Sequence, residues 1–188
     1  MRTLLCFLAF VLSGCVTSTF APVDELPYGR ATITDLLVSA SPLYSYREQT
    51  GFNFERRANL RRSASLPDTL CDILTGSSFR SDTYLWSPGD TLMRRAFRLV
   101  SNNSDVEEAG KEFQRLTSAP DSGYVVGADT VQRGQVWIVQ TTGRKFAKIF
   151  IRDVVVTVED VQREAYVLRT EVTFDWVYQP NGTRSFLP

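Results

Sequence analysis

Near the C-terminus, polar and apolar residues alternate with a period of two. Tyr166, Leu168, Thr170, Val172, Phe174, Trp176 and Tyr178 fall on one side, and Arg169, Glu171, Thr173 and Asp175 on the other. That is the pattern of a strand with one buried and one solvated face. Upstream, "GQVWIVQTTGRKFAKIFIRDVVVTVEDV" holds two runs of β-branched and aromatic residues around a Thr-Gly-Arg turn and predicts an antiparallel hairpin. "GFNF", at 51–54, predicts a further strand. At 32–38, "TITDLLV", the period does not separate strand from helix. After the long alternating run, "YQPNGTRSFL" predicts a Pro-Asn-Gly turn, with Gly182 supplying a positive φ, and a short closing strand over 183–187.

Helical spacing occurs twice. Over about 90–100, Leu92, Met93, Ala96, Phe97 and Val100 recur as a helix face with Asp90 in the N-cap position, although a strand also fits so short a window. Over about 105–117, Ser104 and Glu107 form the capping-box pattern, and Asp105, Glu107 and Glu108 place negative charge at the helix's positive end. Val106, Ala109, Phe113 and Leu116 then share one face, and Pro120 requires the helix to have ended. The expected fold is mostly β, a β-rich α+β class: an antiparallel sheet with C-terminal hairpins and one or two short helices, as a single domain over 29–188.

The N-terminus has a different pattern. Arg2 is followed by an uncharged apolar run over 4–12 and the small pair Ser13-Gly14, the layout of a secretory signal peptide. A membrane span needs about 20 apolar residues, more than this run supplies. Leu12-Ser13-Gly14-Cys15 resembles the bacterial lipoprotein box. The resemblance implies a signal peptide over 1–14, lipid chains such as palmitate on Cys15, and a flexible tether over 15–28. Each buried methylene contributes about 0.8 kcal/mol, so two or three such chains anchor permanently. An ordinary signal peptide with a coincident cysteine is the competing reading. Val16 stands where the inner-membrane retention signal of enteric bacteria has Asp, which points to the outer membrane.

Composition narrows the chemistry. The 21 basic and 21 acidic residues are interspersed, leaving no basic footprint for nucleic acid. With no histidine, zinc centres and histidine-dependent nucleophilic catalysis lose their usual residues. Cys71, among Leu70, Ile73 and Leu74, reads as a buried inert thiol. Glu171 and Asp175 share a strand face about 13 Å apart, too far for a retaining glycosidase pair. The expectation is a binding or accessory module with no cofactor of its own and not an enzyme. Trp86, Trp137 and Trp176 are candidates for an aromatic contact surface.

The stretches "GFNF", "GQVWIVQTTGRKFAKIFIRDV" with its Phe146-Ala147-Lys148 step, and "VTFDWVYQPNGTRSF" together resemble the HmuY-like family of bacterial haem-binding lipoproteins. The resemblance implies a mostly β body at the outer surface, with haem as the ligand. Its haem-binding members hold iron between axial histidines or methionines. Without histidine, the candidate ligand-binding residues here are Met93, Tyr124, Tyr166, Trp176 and Tyr178, since haem iron also accepts Met or Tyr. Two partners besides the membrane are considered, a small hydrophobic ligand and another envelope protein.

Overall fold

The computed structural model describes residues 26–41, 44–62, 70–77, 82–88, 94–161 and 165–187. Cys15 and Met93 lie outside the described residues, as do Asp90 and Leu92. In chain order the elements are β1 (Tyr28–Ser41), β2 (Tyr44–Asn53), β3 (Ala58–Arg62), β4 (Leu74–Ser77) and β5 (Thr83–Trp86). They continue with β6 (Phe97–Asn102), α1 (Val106–Arg115), β7 (Gly127–Ala128), β8 (Gln135–Gln140), β9 (Phe146–Val161) and β10 (Ala165–Gln179). A 7-stranded sheet runs β3-β2-β1-β10-β9-β8-β6, and a 3-stranded sheet runs β4-β5-β7. Every strand pairing in both is antiparallel. The mostly β class with antiparallel hairpins and one short helix is therefore as expected.

The alternation at the C-terminus explains the arrangement. β10 lies between β1 and β9, with Phe174 opposite Ala31 on one side and Ile151 on the other. Leu168, Thr170, Val172, Phe174, Trp176 and Tyr178 are all buried on its inner face. There Phe52, Phe54, Ile73, Leu85, Ala128 and Val131 join Val172, Phe174, Trp176 and Tyr178 in one core, so the small sheet is the lid on this face. Phe52 packs edge-on to Phe174 at 5.7 Å, and Phe54 stacks on Tyr178 at 6.1 Å, between ring centroids. Each large apolar side chain buried in this way contributes about 1.5–3 kcal/mol.

A polar seam sets the lid in place. Asp35, 1% exposed, accepts two hydrogen bonds from Arg47, from Nε at 2.7 Å and Nη2 at 2.9 Å. The carboxylate raises the Arg47 guanidinium above its ordinary value, against the opposing effect of burial. Arg47 also donates to the Tyr84 hydroxyl of the small sheet at 3.3 Å. Gln49 Nε2 donates to the Thr75 carbonyl at 2.9 Å, and the Ser77 and Thr170 hydroxyls share a hydrogen bond of 2.5 Å. These directional bonds specify where the lid sits, which apolar packing alone does not.

Close approach at one glycine accompanies the seam. A Cβ on Gly51 would lie 2.6 Å from Leu74 Cδ2 and 2.7 Å from both Cys71 Sγ and the Ile73 carbonyl oxygen. Cys71 is buried there.

On the outer face, α1 and the chain after it cover β8 and β9. Ala109 packs with Val136 and Phe150, joined by Val106, Phe113 and Leu116, the face that the sequence predicts. The cap is one residue later than predicted: Asp105, rather than Ser104, accepts from the amides of Glu107 at 2.9 Å and Glu108 at 3.3 Å. Lys148, 5% exposed, closes the other end of the helix. Its Nζ donates to the carbonyls of Phe113 at 2.8 Å and Leu116 at 2.9 Å and faces the Phe113 ring at 4.9 Å.

Two expectations fail. The part of 90–100 that is described is no helix: Phe97 starts β6, an edge strand paired with β8. Phe97 is buried while Leu99 and Val100 are 36% and 40% exposed, so the apolar residues serve a one-sided edge strand and not a helix face. The segment 183–187 likewise forms no closing hairpin with β10. It crosses to the residues after α1, where Ala119 N–H donates to the Arg184 carbonyl at 2.8 Å and Phe186 N–H to Thr117 at 2.7 Å. Phe186 is buried there beside Ala119, Ile138 and Phe146, and that anchor outweighs the hairpin geometry of the turn.

Two predictions follow from this packing. Gly51→Ala should lower stability by about 1–3 kcal/mol in chemical denaturation, because the new methyl meets a backbone carbonyl that cannot move freely. Burial lowers the Lys148 ammonium from 10.5 to about 8. Between those pH values the unfolded chain therefore binds more protons than the folded one, and stability gains as pH rises. The stability of the wild type relative to Lys148→Met should accordingly increase from pH 8 to pH 10, measured by denaturant unfolding at each pH.

A candidate polar cleft

The turn that leads into β8 is built by a glycine and a glutamine. Gly134 has a φ of +89°, and a Cβ there would lie 2.0 Å from the Asn103 carbonyl oxygen, so only glycine fits. Its N–H donates to the Ile151 carbonyl of β9 at 3.0 Å, which ties the turn to the large sheet. Gln135 is buried, and its amide works in three directions. Oε1 accepts from the Gln132 amide at 3.0 Å and from Trp137 Nε1 at 3.0 Å, while Nε2 donates to the Thr130 carbonyl at 3.2 Å. Thr130 takes a φ of 55°, and Val131 plugs the core, its N–H donating to Thr83 at 2.7 Å.

With the backbone fixed from below, Gln132 and Arg133 are left exposed at the rim. Two clefts flank them. One, of about 550 Å³, is lined by Asn102, Ser104, Val106, Gln132 and Arg133. The other, of about 350 Å³, shares Gln132 and Arg133 and adds Asp82, Thr83, Thr130 and Val131 with Val154 and Val156 of β9. Arg133 makes no ion pair with a described residue. The larger cleft offers a guanidinium, amides and a hydroxyl, which suits holding a polar ligand with an acidic group, and the smaller one adds the Asp82 carboxylate.

None of the described residues singled out from sequence as ligand candidates lines this cleft. Trp176 and Tyr178 are buried in the core on the inner face. Tyr124 lies on the outer face against Phe146, at 6.4 Å between rings, and its hydroxyl donates to the Pro120 carbonyl at 3.0 Å. Tyr166 is half-buried at the far end of β10, about 33 Å along the strand from Trp176 at ordinary strand rise. Burial raises both the Tyr124 and Tyr178 hydroxyls, which works against the phenolate that iron would need. Trp86 and Trp137 are also engaged, Trp86 beneath the Arg62 guanidinium at 5.2 Å and Trp137 in the core. No group of three or more metal-ligating side chains occurs among the described residues.

The carboxylates considered from sequence, Glu171, Asp175, Glu107 and Glu108, are paired with cations. Glu171 pairs with Arg169 at 2.8 Å, and Asp175 with Arg30 at 2.6 Å and Arg152 at 2.5 Å. Burial works to raise Asp175, but the hydrogen bonds from Arg30 and Arg152 outweigh it and hold the carboxyl below its ordinary value. Glu107 and Glu108 both pair with Lys111, at 3.1 and 2.7 Å. Sequence reading missed Arg133 and its neighbours; the available signal was a glycine turn, "QRGQ", carrying polar residues between two apolar segments.

Comparison with protein-family models and with curated proteins gives no match for this chain.

The division of labour in the turn is testable by thermal or chemical unfolding. Gln135→Ala, which leaves buried polar groups unpaired, should cost about 1–3 kcal/mol. Arg133→Ala should stay within about 0.5 kcal/mol of the wild type, as expected of a side chain that does not support the fold.

Proposed function

We propose that this chain is a lipid-anchored protein of the bacterial cell envelope, tethered to the outer membrane through Cys15, and that its β-rich body binds a ligand and performs no chemistry on it. The observation that carries the binding half is the cleft at Arg133: a cation without an ion-pair partner among the described residues, ringed by hydrogen-bonding side chains on a turn locked from below. The lipoprotein box at 12–15 supports the anchor. No described helix is long and apolar enough to cross a membrane.

The HmuY-like resemblance is supported by the antiparallel β body and by the place of its aromatic strands in one core. It makes haem the first ligand to try. The placement of Trp176 and Tyr178 in the core moves any haem contact away from them, so haem on this reading would present its propionates to Arg133.

Growth with an alkyne-bearing palmitate analogue should label the wild type and leave Cys15→Ala unlabelled, with the variant released from the membrane fraction. An unlabelled wild type, or equal membrane retention of both, overturns the anchor. Hemin added to the purified chain separates the ligand versions: a Soret shift lost in Arg133→Ala favours haem at the cleft, and an unchanged spectrum removes haem.

A further inference from the structure

β9 is 16 residues long, yet β8 pairs only with its stretch 146–150. Gly134 then caps the Ile151 carbonyl. On its other side β10 accompanies β9 to Val161. Over 153–161 the outer edge of β9 therefore has no strand neighbour among the described residues.

Register shows what that edge offers. The Ile151 carbonyl points outward, to Gly134. Ile151, Val154, Val156 and Val158 oppose Phe174, Val172, Thr170 and Leu168, a single row of β10, with Arg152 as the bulged residue that keeps them in phase. In an antiparallel ladder, residues of one row direct their N–H and C=O groups to the same side. Val154, Val156 and Val158 thus present theirs to the open edge. Consistent with this, the Val154 N–H meets the Asp153 side chain, Oδ1 at 3.0 Å, and no strand partner.

Proteins guard such edges with lysine, proline or a covering loop. Here 154–158 reads Val-Val-Val-Thr-Val, and Val155 and Val158 are 44% and 59% exposed. Arg133 stands in the cleft beside Val154, with Asp82 in the same cleft and Asp153 next in the strand, and the exposed Glu159 lies at the far end. An antiparallel copy of the same edge brings Arg133 of each chain toward Glu159 of the other. Pairing about Thr157 sets Val156 against Val158 and Val155 against Glu159, with Asp153 diagonal to Glu159 and not directly opposite it.

We propose that 153–161 is a self-association edge, at which two copies of this chain pair antiparallel about a two-fold axis at Thr157 and join their 7-stranded sheets into one continuous sheet. The pairing requires neither the lipid nor a ligand in the cleft, so it stands or falls apart from the proposed function.

The test uses the purified full chain in detergent solution, so its outcome does not depend on membrane attachment. At the axis the two Thr157 side chains lie about 4.5–5.5 Å apart at Cβ, so Thr157→Cys should give an oxidant-induced dimer on a non-reducing gel. Glu171→Cys, on the same face of β10, and the wild type should not. Val156→Pro removes an edge-facing N–H and no hydrogen bond to β10, which an edge strand tolerates, so the variant should stay folded while the cross-linked fraction of Val156→Pro/Thr157→Cys falls roughly tenfold. Two results overturn the proposal: a folded Thr157→Cys chain that stays monomeric, or cross-linking undiminished by proline.

Discussion

The structure depends on the burial of one row of alternate side chains along β10. A strand's side chains alternate strictly, so placing Leu168, Val172, Phe174, Trp176 and Tyr178 under the small sheet forces Arg169, Glu171, Thr173 and Asp175 to the opposite face. Slipping the pairing by one residue would invert both sets and bury four polar side chains. The registers of β1 and β9 on either side of β10 are held by the same requirement, since Ile33 and Ile151 must face the same core. Threonine pairs and the arginines around Asp175 occupy the outer face, where solvent tolerates them.

The aromatic row also accounts for the position of the cleft. Val131 has to enter the core beneath the lid, and Gly134 has to meet β9, so the few residues between them are pulled tight. Gln135 satisfies the buried backbone that this tension leaves. What remains free is the rim, Gln132 and Arg133. A rigid frame that exposes a cation at its rim can bind without first paying to order a loop. The open stretch of β9 begins where the same turn ends, so one feature of topology, a β8 shorter than its neighbour, creates both the cleft wall at Val154 and Val156 and the unpaired edge.

How much of this was legible in the sequence follows from which interactions are local. The β8–β9 hairpin, the face of α1 and the inner row of β10 rest on short periods, and all three are found. Period failed where tertiary contacts decide: Phe97 is claimed by β8, and Phe186 by the pocket below α1, neither of which a window of ten residues can register. Aromatic chemistry suits a ligand site and a core equally well, and Trp176 and Tyr178 lie in the core. Arg133 gave no signal of its own; its interest comes from Gln135 and Gly134 fixing the backbone around it and from two cleft walls that are distant in sequence.

Amide hydrogen exchange along β10 tests the central claim most directly. β10 has a strand on both sides and its inner row seals the core, so the amides over 168–177 should exchange slowest in the chain and only through global unfolding. Those of β4 and β5, in the lid, should open earlier. Exchange of the β10 amides within minutes under native conditions, while β4 and β5 remain protected, would contradict the account.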